Sequence, residues 1–361
     1  MYSFILSIIL IICKIDAFQD FFIQKNEIVF RKTNSSINIR GISWFGFETD
    51  LRVVEGLHKH TMDYYLKFLN THDFNVLRIP FSSQLLLYEP TAIPDQKNIK
   101  ADSSLRNLKC IDILHTLIKK CHSYGIAVIL DFHVLRIRHS HPLWYLPYDD
   151  KYSPDHFWKT WEFVIETFQN YSNILGIELI NEPHGNATIG DGNHFTDIDK
   201  LIEEFLDKFP NSPLLFVNGV SWGKDYRGFE NTNLFINGTS SKIVISPHLY
   251  GPTLGNLSSY SIDYLNFYYE KLFAFLVPYY PVVITEWGFN PNTDMIWVNG
   301  FIQSMKWYGI SNACFWMLNP KGKDIHGLLH TDWKTIDMIR MKKIKELSPS
   351  PTNFTFTPID F

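Results

Sequence analysis

The chain has 361 residues, a net charge of −4 from 33 Lys plus Arg against 37 Asp plus Glu, and 45% hydrophobic residues with only 19% charged ones. This balance argues against polyanion binding as its main task and excludes an intrinsically disordered chain, while leaving one large barrel-sized domain open. Aromatic residues make up 16%, including 18 Tyr and 10 Trp, and the polar edges of Tyr and Trp need partners when buried, so some of them are expected to face a ligand.

The amino terminus carries an apolar run of about ten residues from Phe4 to Cys13, too short for the roughly 20 residues of a membrane span, followed by Lys14 and Ala17. It reads as a secretory signal over 1–17, and the mature chain as soluble and extracellular. Six Asn-x-Ser/Thr sequons, at Asn34, Asn170, Asn186, Asn237, Asn256 and Asn353, agree with secretion. Beyond the leader, Cys110, Cys121 and Cys314 are odd in number and lack Cys-x-x-Cys spacing, so neither a disulfide scaffold nor a zinc ribbon is encoded.

Eight short apolar runs follow in chain order, at 38–45, 75–81, 126–132, 175–181, 214–218, 243–248, 282–286 and 313–318. Their nearly continuous hydrophobicity is that of parallel strands covered on both faces. Amphipathic helices fit between them at 61–71, 105–124, 157–171, 197–209, 262–277, 294–307 and 333–347; after Asn218 a helix is hard to place. This α/β alternation, with no phosphate-binding glycine loop, predicts a (β/α)8 TIM barrel as a single catalytic domain over 18–347, followed by a short C-terminal tail over 348–361. Nothing in the sequence marks a second module, and the chain is expected to be a monomer.

In such a barrel the carboxyl ends of the strands form the active site, so a polar residue closing an apolar run has a reason to face substrate. Arg78 closes the second run, Asp131 and His133 the third, Asn181 and Glu182 the fourth, His248 and Tyr250 the sixth, Glu286 the seventh and Trp316 the eighth. Two carboxyl groups at one rim suit cleavage of a glycosidic bond, where one acid protonates the leaving oxygen and a carboxylate meets the developing oxocarbenium ion. That chemistry requires no cofactor. His139 and His141 have no third ligand at metal spacing, so no metal is expected.

These residues also carry a family likeness. Asn181-Glu182-Pro183, Thr285-Glu286-Trp287-Gly288, Arg78, His133, His248, Tyr250 and Trp316 resemble the strand-end set of family 5 glycoside hydrolases, the (β/α)8 cellulase family. The segment from Ile39-Arg40-Gly41-Ile42 through Ser43-Trp44-Phe45-Gly46-Phe47-Glu48-Thr49 is similar to that of its endo-β-1,4-glucanases, as are Asn319-Pro320, Gly327-Leu328-Leu329 and Asp332-Trp333. The resemblance implies Glu182 as general acid/base and Glu286 as nucleophile of a retaining double displacement on a β-linked polysaccharide. It implies that Arg78 and Tyr250 hold Glu286, that His248 orients the acid side, that Asn181 and His133 bind sugar hydroxyls, and that Trp316 is the stacking floor. Trp44 is expected in the sugar cleft, with Trp144 and Tyr145 as further candidates. Ser43 departs from the Asn common before this Trp, and Pro247 with Gly251-Pro252 brackets the His-x-Tyr pair. Mannan, xyloglucan, β-1,3-glucan and glycolipid glycans remain alternative substrates, and a non-catalytic sugar-binding barrel a more distant one.

Overall fold

The computed structural model describes residue 18 and residues 20–232, 241–254, 259–322 and 325–357; the expected signal segment 1–17 lies outside the described residues. Three short strands come first, β1 (Phe21–Gln24), β2 (Glu27–Phe30) and β3 (Ser35–Ser36), paired antiparallel. The barrel strands follow: β4 (Arg40–Ser43), β5 (Val76–Ser82), β6 (Ala127–Val134), β7 (Ile174–Glu178), β8 (Leu214–Val217), β9 (Ile243–Ile245), β10 (His248–Tyr250), β11 (Ile284–Gly288) and β12 (Ala313–Phe315). All nine pair in parallel, in the order β10-β11-β12-β4-β5-β6-β7-β8-β9. β9 and β10 are two halves of one barrel position, interrupted at Ser246 and Pro247, and Ile245 bridges to Val282 ahead of β11, so the sheet closes on itself with eight positions.

Helices cover the outside of the barrel. Met62–Thr71, Ile198–Lys208, Ile262–Leu272 and Met338–Leu347 start where Thr61, Asp197, Ser261 and Asp337 accept hydrogen bonds from first-turn amides. The last of these begins later than the sequence pattern suggests, because the Asp337 cap fixes its start. Among the described residues, the stretch after Asn218 holds one irregular turn, Val220–Gly223, and a 3-10 segment, Arg227–Asn231. Cys110, Cys121 and Cys314 are all buried free thiols.

Strand alternation sorts the barrel lining into layers. The lower interior is apolar, built by Val76, Ala127, Ile129, Leu175, Phe216, Val244 and Val283. The amino-terminal strands and the tail close that end. Phe21 and Phe30 meet Phe354 edge-on, with centroids 5.5 and 5.3 Å apart, and Thr352 exchanges hydrogen bonds with the Asn38 backbone. Replacing both Phe354 and Phe356 by Ala is expected to cost several kcal/mol, given roughly 3–5 per buried Phe. Thermal unfolding would then shift down while activity below the transition stays at the wild-type value; an unchanged melting temperature would refute this role.

Candidate active site

The upper interior is polar, and its centre is Arg78. β5 turns this residue inward, where it is fully buried and reaches three carboxylates: Glu178 from Nε at 2.6 Å, Glu286 from Nη1 at 2.6 Å, and Asp131 from Nη2 at 2.9 Å. Burial alone would lower its pKa, but Asp131, Glu178 and Glu286 outweigh that and raise it well above the usual arginine value. One guanidinium does not balance three acids, and two histidines supply the rest. His133 Nδ1 lies 2.7 Å from Asp131, and His248 Nε2 lies 3.0 Å from Glu178. Desolvation opposes protonation of both rings, yet the surrounding carboxylates raise them, His133 to about 9 and His248 to about 10, so both are cationic at neutral pH.

Glu178 is the functional-looking residue that the strand-end rule misses. It is the last residue of β7, in register with Asp131 on β6, and has no exposed surface; the apolar run 175–181 continues three residues past it, so the sequence does not show it as a strand end. Its oxygens receive hydrogen bonds from Arg78 Nε at 2.6 Å, Asn218 Nδ2 at 2.5 Å and Thr285 Oγ1 at 2.9 Å. Burial pushes its pKa up, but Arg78 and His248 hold it well below the usual carboxylate range. Asn218 has a second task, accepting the Glu182 backbone N–H at 2.9 Å. Glu48 was equally unforeseen: it is buried beside His133 and Asp131, takes the Gly46 N–H at 2.8 Å, and is pushed up to about 7 by burial.

The two rim glutamates come together as the sequence pattern requires. Glu182 follows β7 with a left-handed backbone, φ 49°, and its side chain is 22% exposed to the mouth. Its Oε1 is 3.0 Å from His248 Nδ1. Burial raises the Glu182 pKa, but its hydrogen bond to His248 and the charges of His248, His133 and Arg78 win and lower it overall. Glu286 is turned inward beside Thr285 at a register irregularity between β11 and β12. Arg78 donates to one of its oxygens and Tyr250 Oη to the other, each at 2.6 Å.

One oxygen of Glu182, one ring nitrogen of His248 and one oxygen of Glu286 lie within 4.8 Å of one another, the one trio among the described residues spaced to ligate a metal. The Arg78 cation already holds the other Glu286 oxygen, so a metal there would face a fixed positive charge.

Asn181 gives its Oδ1 to Arg78 Nη2 at 2.9 Å, which leaves the amide nitrogen as the end available to a ligand. Trp316 stacks on His133, centroids 5.5 Å and planes 3° apart, and on Phe45 at 5.9 Å, making an aromatic wall that runs from the ends of β12 and β4 to β6. Trp44 is not part of that wall. Its ring is fully buried, packs on Tyr65 at 5.0 Å and donates from Nε1 to the Glu55 carbonyl at 2.8 Å. Alternation along β4 explains the correction: Gly41, Ser43 and then Phe45 share the inward face, whereas Trp44 points into the helical layer. Ser43 sits in register with Arg78, and its buried Oγ has no hydrogen-bond partner. Trp144 is also buried, against Phe157, while Tyr145 is half-buried beside Phe195. His139 and His141 stack on each other near the surface, apart from the charged cluster.

Comparison with known proteins agrees with this arrangement. The model of the cellulase family, glycosyl hydrolase family 5, matches residues 32–322. An endoglucanase of Paenibacillus polymyxa is 28% identical over 86% of this chain and 83% of its own length. The major extracellular endoglucanase of Xanthomonas campestris is 26% identical over 88% of this chain and 69% of its own. Among solved structures, the endocellulase of Pyrococcus horikoshii superposes with a TM-score of 0.81 at 28% identity, covering 91% of this chain and 98% of that one. The catalytic domain of the Xanthomonas enzyme gives 0.83 at 25% identity, covering 91% and 100%. A match over most of the chain, on a closed barrel whose mouth holds the glutamate pair, places this protein in the cellulase family, glycosyl hydrolase family 5, as a glycosidase of endoglucanase type.

Proposed function

We propose that the chain is a secreted, retaining endo-β-1,4-glucanase in which Glu286 attacks the anomeric carbon while Glu182 protonates the leaving oxygen. The observation that carries this reading is the close pairing of Glu182 and Glu286 around His248, within 4.8 Å, which fits the separation of about 5 to 5.5 Å between carboxyl groups of retaining enzymes. In the first half-reaction the Glu286 oxygen forms a bond to the anomeric carbon as the glycosidic bond breaks, and the departing oxygen takes a proton from Glu182. In the second, Glu182 removes a proton from water, which displaces Glu286 and restores both groups.

His248 is the reservoir for that proton. Glu178, held ionised by its donors, takes the Nε2–H of the ring, so Nδ1 faces Glu182 Oε1 and the two share one proton. Glu286 is the leading electrostatic cause of the raised His248 pKa. When attack turns Glu286 into a neutral ester, that support disappears, and the shared proton is released toward Glu182 and the leaving oxygen just as it is needed.

The substrate reading is supported by the endoglucanase relatives and by the Pyrococcus horikoshii endocellulase, solved in complexes with cellotetraose. Secretion is supported by the leader-like residues 1–17 and by four surface-exposed sequons, at Asn34, Asn170, Asn186 and Asn353; Asn237 and Asn256 lie outside the described residues. No helix among the described residues is long and apolar enough to cross a membrane. A reducing-sugar assay across soluble cellulose derivative, lichenan, mannan, xylan and laminarin is expected to give the highest rate on the cellulose derivative, with the β-anomer released first by NMR. Activity confined to mannan or laminarin would reassign the polymer, initial release of the α-anomer would refute retention, and no activity on any would favour a binding protein.

A further inference from the structure

At the amino ends of the barrel strands, on the pole opposite Glu182 and Glu286, lies a cavity of about 310 Å³ that the reaction does not use, a volume within the range of small-ligand sites. Three pieces of chain wall it: the β2 hairpin with β3 and the two residues after it, the segment 277–282 that leads into β11, and the turn 308–312 that leads into β12. Gly309 sets that last turn. It follows the helix Met295–Trp307 with φ 70°, and nothing lies within 4 Å of where its Cβ would stand, so the wall is open beside it.

Two of the lining amides have one end tied to the backbone and the other left over. Asn26 donates from Nδ2 to the Val277 carbonyl at 3.0 Å, which leaves its Oδ1 as an acceptor. Asn312 accepts the Ile39 N–H at Oδ1, at 2.7 Å, which leaves its Nδ2 as a donor. The described lining holds one carboxylate, Glu27, and no cationic side chain. Aromatic rings flank it. Tyr280 and Tyr308 stand in the wall, and the residues just before them, Tyr279 and Trp307, are 58% and 74% exposed, which makes Trp307 the most exposed tryptophan of the protein. Tyr308 is anchored by its Oη, which donates to the Asn266 carbonyl at 2.8 Å and so fixes the helix end that carries Trp307.

Neutral amides that offer both a donor and an acceptor, with flat aromatic faces at the edge, match a polyol better than an anion or a wholly apolar ligand. Ring hydroxyls pair with the amides, and the apolar faces of a pyranose lie on the rings. We propose that this cavity is a second, non-catalytic sugar site that takes one glucosyl unit of a β-glucan, with the adjoining unit resting on Trp307. This inference rests on the glucanase reading above, which supplies the polymer. Mouth and cavity lie on opposite poles, so the chain segment held here is not the one being cut. The site tethers the enzyme to one chain of an insoluble polymer while the mouth works on a neighbour, and the second contact raises retention without any change at the reacting bond.

The test is binding to amorphous cellulose after the mouth has been closed. 2,4-Dinitrophenyl 2-deoxy-2-fluoro-β-cellobioside transfers its glycosyl group to Glu286 and releases dinitrophenolate, and the resulting ester fills the cleft. Closed wild type is expected to stay on the cellulose, and closed Trp307→Ala to bind about tenfold more weakly. Closed Asn312→Asp, which keeps the acceptor for Ile39 but loses the free amide donor, should weaken likewise. With the mouth open, both variants should cleave soluble cellotetraose with kcat/KM within about twofold of wild type, since one short chain engages the mouth alone. Release of closed wild type from the cellulose, or weakening of fewer than both variants, would overturn the site. Losses on cellotetraose as large as those on cellulose would also overturn it, as a general disturbance of the fold; each of these results leaves the glucanase reading intact. A wild type that neither accepts the fluoroglycoside nor cleaves cellotetraose would overturn the glucanase reading, and the second site with it.

Discussion

Glu286→Ala is expected to lower kcat on cello-oligosaccharides by at least about 10⁴-fold, the scale on which removal of a nucleophile costs an enzyme. The fold should survive, because Arg78 keeps Glu178, Asp131 and Asn181 as partners when Glu286 is shortened. Glu182→Ala separates the roles. A dinitrophenolate leaves without protonation, so this variant should still release dinitrophenolate in an initial burst from 2,4-dinitrophenyl β-cellobioside, then stall as glycosyl-enzyme for want of a base. Added azide should restart turnover by attacking the trapped ester. If Glu286→Ala shows the burst and Glu182→Ala does not, the two assignments are reversed; if either variant hydrolyses cellotetraose at near-wild-type rate, the mechanism is wrong.

The second large effect is expected at Glu178, away from the reacting bond. Glu178→Ala removes the acceptor shared by Arg78, Asn218, Thr285 and His248, all inside the barrel. Breaking a buried ion pair from one side typically costs about 3–5 kcal/mol, which should appear as a lower thermal midpoint together with lower kcat. The cost should also depend on pH. Glu178 is held below its ordinary value, so its contribution is present above pH 4.5 and is lost as pH falls through the lowered value. His248, raised from 6.5 to about 10, contributes fully below pH 6.5 and loses its contribution as pH rises through about 10. The stability gap between wild type and Glu178→Ala should therefore be widest between about pH 4.5 and 6.5 and narrow toward pH 10 and above. A gap constant from pH 5 to 10 would show that His248 is not charged against Glu178.

The barrel and most of its mouth were legible in the sequence for one physical reason. A buried parallel strand is apolar throughout, so Arg78, His133, Glu182 and Glu286 stand out wherever a run stops. The same rule hides Glu178, which closes β7 but sits between Ile177 and Leu179 in an apolar run that continues past the strand, although an acid in the middle of such a run is itself a signal of a paired charge. Trp44 was misplaced because being next to a strand end does not say which way a side chain points; counting in twos from Gly41 puts Phe45 at the cleft. The closing aromatic cluster joins Phe21 to Phe354 across nearly the whole chain, a pairing no local pattern encodes.

That cluster also settles how the enzyme can be held. Phe21, Phe30, Phe354 and Phe356 gather at the amino ends of the barrel strands, on the pole opposite Glu182 and Glu286. A surface, carrier or second module attached next to either set would therefore stand behind the catalyst, leaving the whole mouth turned outward toward an approaching polymer.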